Sequence, residues 1–239
     1  MKVNFFVTCL CDTVKADVAK KTVLLLEELG CEILFPKQQG CCGQPSLNSG
    51  YIEQSKPAMK NLIMAFETND FPIVTPAGSC AASIKKYPEY LADEPEWAQR
   101  AQKVAERLFE LTQFIVNQLG IKNVGARLKG RAVYHPSCSL IRKLGVREEP
   151  LALLANVEGL EMVPIKNQET CCGFGGTFSV KMSEISGEMV KEKVQHISAV
   201  EPQYLIGADI SCLINIGGRM TREGQPVKVM HIVDVLLSR

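Results

Sequence analysis

The chain has 239 residues, of which 46% are hydrophobic and 22% charged, with 27 basic against 26 acidic side chains. This composition is typical of a folded globular protein and excludes a disordered chain. A net charge of +1 without a block of like charges gives no reason to expect nucleic acid or anionic lipid as a partner. Apolar runs are too short for a transmembrane helix or a secretion signal, so we expect a cytoplasmic protein.

Ten cysteines are many for a protein of this size and expected location. Disulfides are uncommon in the cytoplasm, because the thiol pool there is kept reduced. The cysteines therefore indicate metal binding or redox chemistry.

The first half of the chain is predicted to alternate strands and helices. Short apolar strands are expected at residues 3–7, 32–35 and 72–75. Helices are expected at residues 14–29, where apolar residues recur on one face, and at 52–68. Strands that alternate with helices in this way favour parallel α/β units.

The second half repeats this order. Strands are predicted at residues 132–134, 160–165 and 204–208, and a helix at 185–200. We therefore expect an α/β protein of two pseudo-twofold-related repeats, each a small parallel sheet flanked by helices. The expected domains are residues 1–125 and 126–239. The first repeat is longer by about fifteen residues, which fall in the polar stretch around residues 87–97.

The cysteines follow the same repeat. Each half has a single cysteine, then a Cys-Cys-Gly sequence, then a cysteine just after the third predicted strand. Cys41 follows Cys9 by 32 positions, and Cys171 follows Cys138 by 33. The first set is Cys9, Cys41, Cys42 and Cys80, and the second set is Cys138, Cys171, Cys172 and Cys212.

Each set is predicted to converge on a metal site. The loops after parallel strands meet at one edge of the sheet, where ligands bind. Packed thiolates repel one another unless a cation neutralises them, and iron–sulfur clusters are held by four thiolates. Adjacent cysteines suit a cluster, which offers separated iron atoms, and Gly43 and Gly173 suit the close approach of backbone to it. Up to two iron–sulfur clusters are expected.

Zinc is an alternative to iron for both cysteine sets. Four thiolates also bind zinc, although the Cys-x-x-Cys pairs of structural zinc sites are missing. Cys31 has no counterpart in the second half and is expected to be packed in the core. His135, three residues before Cys138, either tunes or ligates the second site or is a hydrogen-bonded structural group.

Four segments resemble the cysteine-rich, or CCG, domain family, found in the cysteine-rich subunit of heterodisulfide reductase and in the iron–sulfur subunit of glycolate oxidase. The segments are Phe6-Val7-Thr8-Cys9-Leu10, residues 41–45, residues 171–182 and residues 215–219. They are most similar to the lactate utilization protein A (LutA/YkgE) branch, and the similarity runs from end to end. The Val-Thr-Cys-Leu context favours Cys9 over Cys11 as the first ligand.

This resemblance implies an iron–sulfur electron-transfer subunit of a bacterial complex that oxidises L-lactate to pyruvate. It implies LutB-like and LutC-like partner subunits, peripheral membrane association through that complex, and an oxidoreductase subunit that is inactive without its partners. It also implies that the eight repeated cysteines are the cofactor ligands.

One departure from the family pattern bears on the cluster type. The fuller pattern ends each repeat with Cys-x-x-Cys, and in heterodisulfide reductase five such cysteines hold a noncubane cluster. Here Ser83 follows Cys80, and Asn215 follows Cys212, at the position of the last cysteine. Four cysteines per half favour a four-thiolate [4Fe–4S] site, or a labile cluster with one non-cysteine ligand, over a noncubane cluster. The alternatives are a heterodisulfide-reductase-like thiol/disulfide reductase subunit and a noncatalytic zinc-binding scaffold.

Overall fold

The computed structural model describes residues 1–239 as an α/β protein with two sheets, each of four parallel strands. The strands of the first sheet are β1 (Lys2–Phe5), β2 (Glu32–Leu34), β3 (Ile73–Thr75) and β4 (Leu108–Glu110). Their spatial order is β2-β1-β3-β4. The apolar residues of β1 and β3 are buried, as expected for central strands that are covered on both faces.

The second sheet repeats this topology in the second half of the chain. Its strands are β5 (Arg127–His135), β6 (Glu158–Met162), β7 (Tyr204–Gly207) and β8 (Lys228–His231), in the order β6-β5-β7-β8. The predicted fold class, two repeats that each contain a parallel sheet flanked by helices, is confirmed. Each sheet has one strand more than predicted, because β4 and β8 lie beyond the three strands that the pattern indicated.

The helices of the first half differ from prediction mainly near Cys9. The predicted helix at residues 14–29 begins only at Ala16, and a separate turn of helix precedes it. Thr8 starts that turn by accepting a hydrogen bond from the amide of Cys11. The helices are α1 (Cys9–Thr13), α2 (Ala16–Glu28), α3 (Gln44–Leu47), α4 (Ile52–Phe66), α5 (Gly78–Ile84), α6 (Tyr87–Tyr90), α7 (Pro95–Glu106) and α8 (Leu111–Gln113).

The extra residues of the first half form α6 and the start of α7, which pack against each other and against α4. Two short π-helical turns, Phe114–Gln118 and Ser139–Lys143, follow α8 and β5. The helices of the second half are α9 (Glu148–Leu154), α10 (Phe178–Lys181), α11 (Ser183–Ser198), α12 (Ile210–Arg222) and α13 (Ile232–Leu236). None of the helices has the length and apolar character needed to cross a bilayer.

The two halves share one hydrophobic core. A cluster of 38 buried residues runs from Val3 in β1 to Leu236 in α13, while a smaller cluster of 17 lies within the first half. Polar contacts also join the halves: Lys21 pairs with Asp234 at 2.5 Å, and the carbonyl of Pro76 contacts His231 Nε2 at 3.1 Å. The carboxyl ends of both sheets are thereby held in one fixed relation.

Candidate metal centres

The four repeated cysteines of the first half lie together beyond the carboxyl ends of β1, β2 and β3. Cys9 begins α1, the Cys41-Cys42 pair precedes α3, and Cys80 lies in the first turn of α5. The Sγ atoms of Cys9 and Cys41 are 3.6 Å apart. The thiols of Cys41 and Cys80 both raise the pKa of Cys42, which lies between them in this group. We call these four residues the first quartet.

The corresponding residues of the second half form the second quartet. Cys138 precedes the π-helical turn after β5, the Cys171-Cys172 pair precedes α10, and Cys212 lies in the first turn of α12. The neighbouring thiols affect one another: Cys171 raises the pKa of Cys138, and both Cys171 and Cys212 act on the pKa of Cys172, which is raised. The fold thus brings together every member of both predicted sets, which lie up to 74 positions apart in the second half.

The packed thiols shift one another's ionisation. The hydrogen bond to Cys41, together with burial, raises the pKa of Cys9, and contact with Cys171 does the same for the pKa of Cys138. The pKa of Cys41 is lowered, because the neighbouring thiols of Cys42 and Cys9 stabilise its thiolate. Metal binding to the thiols whose pKa is raised would therefore release protons.

Two glycines shape the loops that carry the cysteine pairs. Gly43 and Gly173 have φ values of 73° and 83°, in the left-handed region that side chains disfavour. This conformation turns the glycine amide back toward the preceding pair, and the amide of Gly173 lies 3.4 Å from Cys171 Sγ. The amide of Gly43 contributes to the lowered pKa of Cys41 in the first half. Such amides stabilise negative charge on sulfur.

The residues that replace the family's fifth cysteine hold the backbone of these loops. Ser83 Oγ donates to the carbonyl of Cys42 at 3.3 Å, and Asn215 Nδ2 donates to the carbonyl of Cys172 at 2.8 Å. In the first half Tyr87 adds a second donor to the same Cys42 carbonyl at 2.8 Å. In both repeats, the side chain at this position therefore holds the backbone of the cysteine pair by a hydrogen bond.

His135 lies beside the second quartet. One of its ring nitrogens and the Sγ atoms of Cys172 and Cys212 all lie within 4.8 Å of one another. Burial lowers the pKa of His135 to about 3, with a further contribution from the nearby charge of Lys193, so the ring is neutral near pH 7. A neutral imidazole surrounded by thiols is a second type of donor for a metal or cluster.

The second quartet opens onto a cavity of about 90 Å³ at the junction of the two halves. Gln44, Asn48 and Ser79 contribute to its wall from the first half. Asp209, which sequence reasoning missed, accepts hydrogen bonds from the amides of Ser79 at 2.7 Å and Ser211 at 3.1 Å. Its counterpart in the first half is Ala77, and an acidic residue that appears near a cysteine in only one repeat is the signal that could have revealed it.

The two remaining cysteines have other surroundings. Cys31 lies 7% exposed in the shared core, after the end of α2, as predicted for a packed residue. Cys11 is fully buried in α1, and burial raises its pKa to about 11. The four-thiol donor sets fit iron or zinc by their chemistry, since both metals bind thiolates.

Comparison with known proteins agrees with this arrangement. The family model described as "Cysteine-rich domain" (CCG) matches residues 3–85 and 132–217. The chain is 67% identical to uncharacterized protein YkgE of Escherichia coli (strain K12). It is 56% identical to lactate utilization protein A of Geobacillus sp. (strain WCH70) and 53% identical to that of Bacillus licheniformis. Each of these matches spans all 239 residues and covers both chains completely.

The chain belongs to the cysteine-rich domain family, in the group of lactate utilization protein A and YkgE. Each matched segment begins near the first strand of a repeat and ends after the last cysteine of a quartet. The two cysteine-rich repeats therefore coincide with the units that carry the two quartets.

Proposed function

We propose that this cysteine-rich protein is an iron–sulfur electron-transfer subunit that serves the oxidation of L-lactate to pyruvate. The observation that carries the proposal is the gathering of four thiols in each half, with Cys9 and Cys41 only 3.6 Å apart. The full-length relatives named lactate utilization protein A supply the metabolic setting. In this proposal residues 1–125 and 126–239 are the two cysteine-rich domains, with one centre in each.

The ligands would be the members of the two quartets, and each quartet would hold one [4Fe–4S] cluster. When bound, such a cluster accepts and releases one electron. The protein's own part is to collect the thiolates, keep water from their buried members and donate amide hydrogen bonds to sulfur. The bonds from Ser83 and Asn215 to the cysteine-pair carbonyls keep the loops in the ligating conformation.

The stoichiometry of the reaction agrees with two centres. Oxidation of L-lactate to pyruvate releases two electrons and two protons. Two one-electron centres in one chain match that number. We propose that LutB-like and LutC-like subunits bind the substrate and the final acceptor, and that the isolated chain has no turnover.

Two other functions are less well supported by the geometry. A thiol/disulfide reductase of the heterodisulfide reductase type uses five cysteines in each repeat, whereas Ser83 and Asn215 here donate to backbone carbonyls. A zinc scaffold would need only one ion per quartet, and an adjacent cysteine pair strains the backbone around a single tetrahedral ion.

Anaerobic reconstitution of the full chain tests the cofactor. We expect about eight iron and eight acid-labile sulfide per chain, with paramagnetic signals after reduction. Cys171→Ser should lose about half of the iron, and the matched control Cys31→Ser should lose none. Stoichiometric zinc without sulfide in the physiological protein would refute the iron–sulfur assignment.

Growth tests the metabolic setting separately. A deletion strain should fail to grow on L-lactate, and the wild-type gene should restore growth, whereas the gene for Cys171→Ser should not. Normal growth of the uncomplemented deletion strain on L-lactate would remove the lactate assignment and leave the cofactor assignment intact.

A further inference from the structure

The side chains packed beside the two quartets differ, although the repeats that hold the quartets share one topology. His135 stands three residues before Cys138, and Phe6 stands at the same position before Cys9. Lys193 in α11 lies seven residues after Ser186, and Leu62 in α4 lies seven after Ser55. Two apolar residues behind the first quartet are thus replaced by two nitrogen donors behind the second.

The ring of His135 is directed at the second quartet and has no other polar partner. It is 2% exposed, and neither ring nitrogen forms a hydrogen bond. An unpaired buried imidazole is costly unless a bound group completes it, and the Sγ atoms of Cys172 and Cys212 lie close to the ring. At the matching place Phe6 packs edge-on against Phe66, with ring centroids 5.7 Å apart, and offers no donor.

Lys193 places a buried ammonium group behind the same quartet. It is fully buried, and its Nζ donates to the carbonyls of Asn167 at 3.2 Å and Gln168 at 2.9 Å. Burial lowers the pKa of Lys193, while the charges of Cys172, Cys171 and Cys212 act to raise it. A buried cation is retained where negative charge accompanies it, and its direct partners here are carbonyls rather than a carboxylate. Leu62, the counterpart, is an ordinary core residue.

We propose that His135 and Lys193 give the second quartet's centre the higher reduction potential, so that electrons within the chain collect at the second half. The inference rests on the proposed iron–sulfur function. Reduction adds one negative charge to a centre, and hydrogen-bond donors and nearby cations stabilise that charge. The His135 N–H can donate to a ligand sulfur or sulfide, and the Lys193 ammonium acts through its charge.

Other charged groups near the quartets do not reverse this difference. Asp209 carries the opposite charge, but it accepts hydrogen bonds from the amides of Ser79 and Ser211, which adjoin Cys80 and Cys212 respectively. Its charge acts on Cys138 and Cys212 of the second quartet and opposes the effect of His135 and Lys193 there, but the hydrogen bonds from these two amides and from the Ser211 hydroxyl partly neutralise it. Lys143 lines the cavity beside the second quartet and adds a further positive charge on that side.

The test is a redox titration of the reconstituted full chain, followed by EPR. His135→Phe and Lys193→Leu each replace a nitrogen donor beside the second quartet with the residue type found at the equivalent position beside the first. Each should lower the reduction potential of the second quartet's centre by at least about 59 mV, which is a tenfold change in the one-electron equilibrium constant. The potential of the first quartet's centre should stay unchanged. Lys191→Leu is the matched control, because Lys191 lies on the same helix but pairs with Glu188 at the surface.

Conservative variants separate a tuning role from a purely structural one. His135→Gln keeps an N–H donor and Lys193→Arg keeps the charge, so both should remain closer to the wild-type potential than the apolar variants do. These two variants also keep the inference testable if the apolar variants fold poorly, which thermal melting will show. Cys171→Ser removes the second centre and so identifies the signal that belongs to the first.

Iron and sulfide contents distinguish the possible failures. A chain that binds no clusters refutes the proposed function. With both clusters present, equal potentials in the wild-type chain, or unchanged potentials in His135→Phe and Lys193→Leu, overturn the present inference alone. An equal fall in the potentials of both centres in these variants would also overturn the inference, because His135 and Lys193 would then not act on the second centre in particular.

Discussion

Alanine at Gly173 should damage the protein more than alanine at the equivalent Gly43. Both residues have φ in the left-handed region, where an alanine costs about 1–2 kcal/mol. The space around them differs. A Cβ on Gly173 would lie 2.9 Å from the carbonyl oxygen of Ser186 and 3.3 Å from Met189 Cβ. A Cβ on Gly43 would meet nothing closer than Ser55 Cβ at 3.8 Å.

The expected losses follow from these distances. Gly43→Ala should lower the free energy of unfolding by the backbone term alone, about 1–2 kcal/mol. Gly173→Ala adds the displacement of a helix backbone carbonyl, an overpacking cost of about 1–3 kcal/mol. The combined loss is about 2–5 kcal/mol. Because the amide of Gly173 also contacts Cys171 Sγ, the displaced loop should weaken metal binding at the second quartet.

Urea unfolding of the reduced, metal-free chain measures the first effect, and iron content after anaerobic reconstitution measures the second. Gly43→Ala should keep nearly all of its iron, whereas Gly173→Ala should keep about half. Equal destabilisation by the two substitutions would contradict the reasoning, since the backbone term is common to both and only the space around the Cβ differs.

Two further predictions concern the junction of the halves. Burial raises the pKa of Glu110 to about 7, so the folded chain holds a proton that the unfolded chain loses from about pH 4.5 upward. Glu110 therefore lowers stability progressively between those two values, and the unfolding free energy of Glu110→Gln relative to wild type should rise by about 3 kcal/mol across that window, measured by urea titrations at several pH values. A constant difference between the two proteins would count against a buried, protonated carboxyl. Asp209→Asn should cost about 1.5–3 kcal/mol in the same assay, because the carboxylate accepts from two buried amides and Asn offers an N–H to one of them; a loss below about 0.5 kcal/mol would show that the junction does not depend on this charge.

The duplicated fold and the quartets were accessible from the sequence because both rest on short-range signals. Apolar runs predict strands, and parallel strands bring the loops behind Cys9, Cys42 and Cys80 to one edge whatever the detailed packing is. The short edge strands β4 and β8 were missed for the opposite reason. Each runs directly into a helix, β4 into α8 and β8 into α13, so no loop residues mark the strand as a separate segment.

The charged side chains around the quartets, by contrast, depend on contacts that the local sequence pattern does not reveal. Lys193 occupies a position of α11 that a helical period assigns to the core, and only its alignment with Leu62 shows that a charge has replaced an apolar residue there. Asp209 acts across the junction on Ser79, a residue 130 positions away. Such pairings follow from how the repeats pack together, which neither repeat encodes alone.

The junction makes the two sites interdependent. The loops that carry the cysteine pairs touch each other: Ser49 Oγ lies 2.6 Å from Thr177 Oγ1, and Asn48 Nδ2 donates to the carbonyl of Gly175 at 3.3 Å. A Cβ on Gly176 would lie 3.3 Å from Pro45 Cα, so the two backbones are in van der Waals contact. These contacts join the loop of the first cysteine pair to that of the second, so each loop helps to position the other. Duplication followed by this close contact therefore places two cysteine quartets within one chain, with His135 and Lys193 beside the second and Phe6 and Leu62 at the equivalent positions of the first.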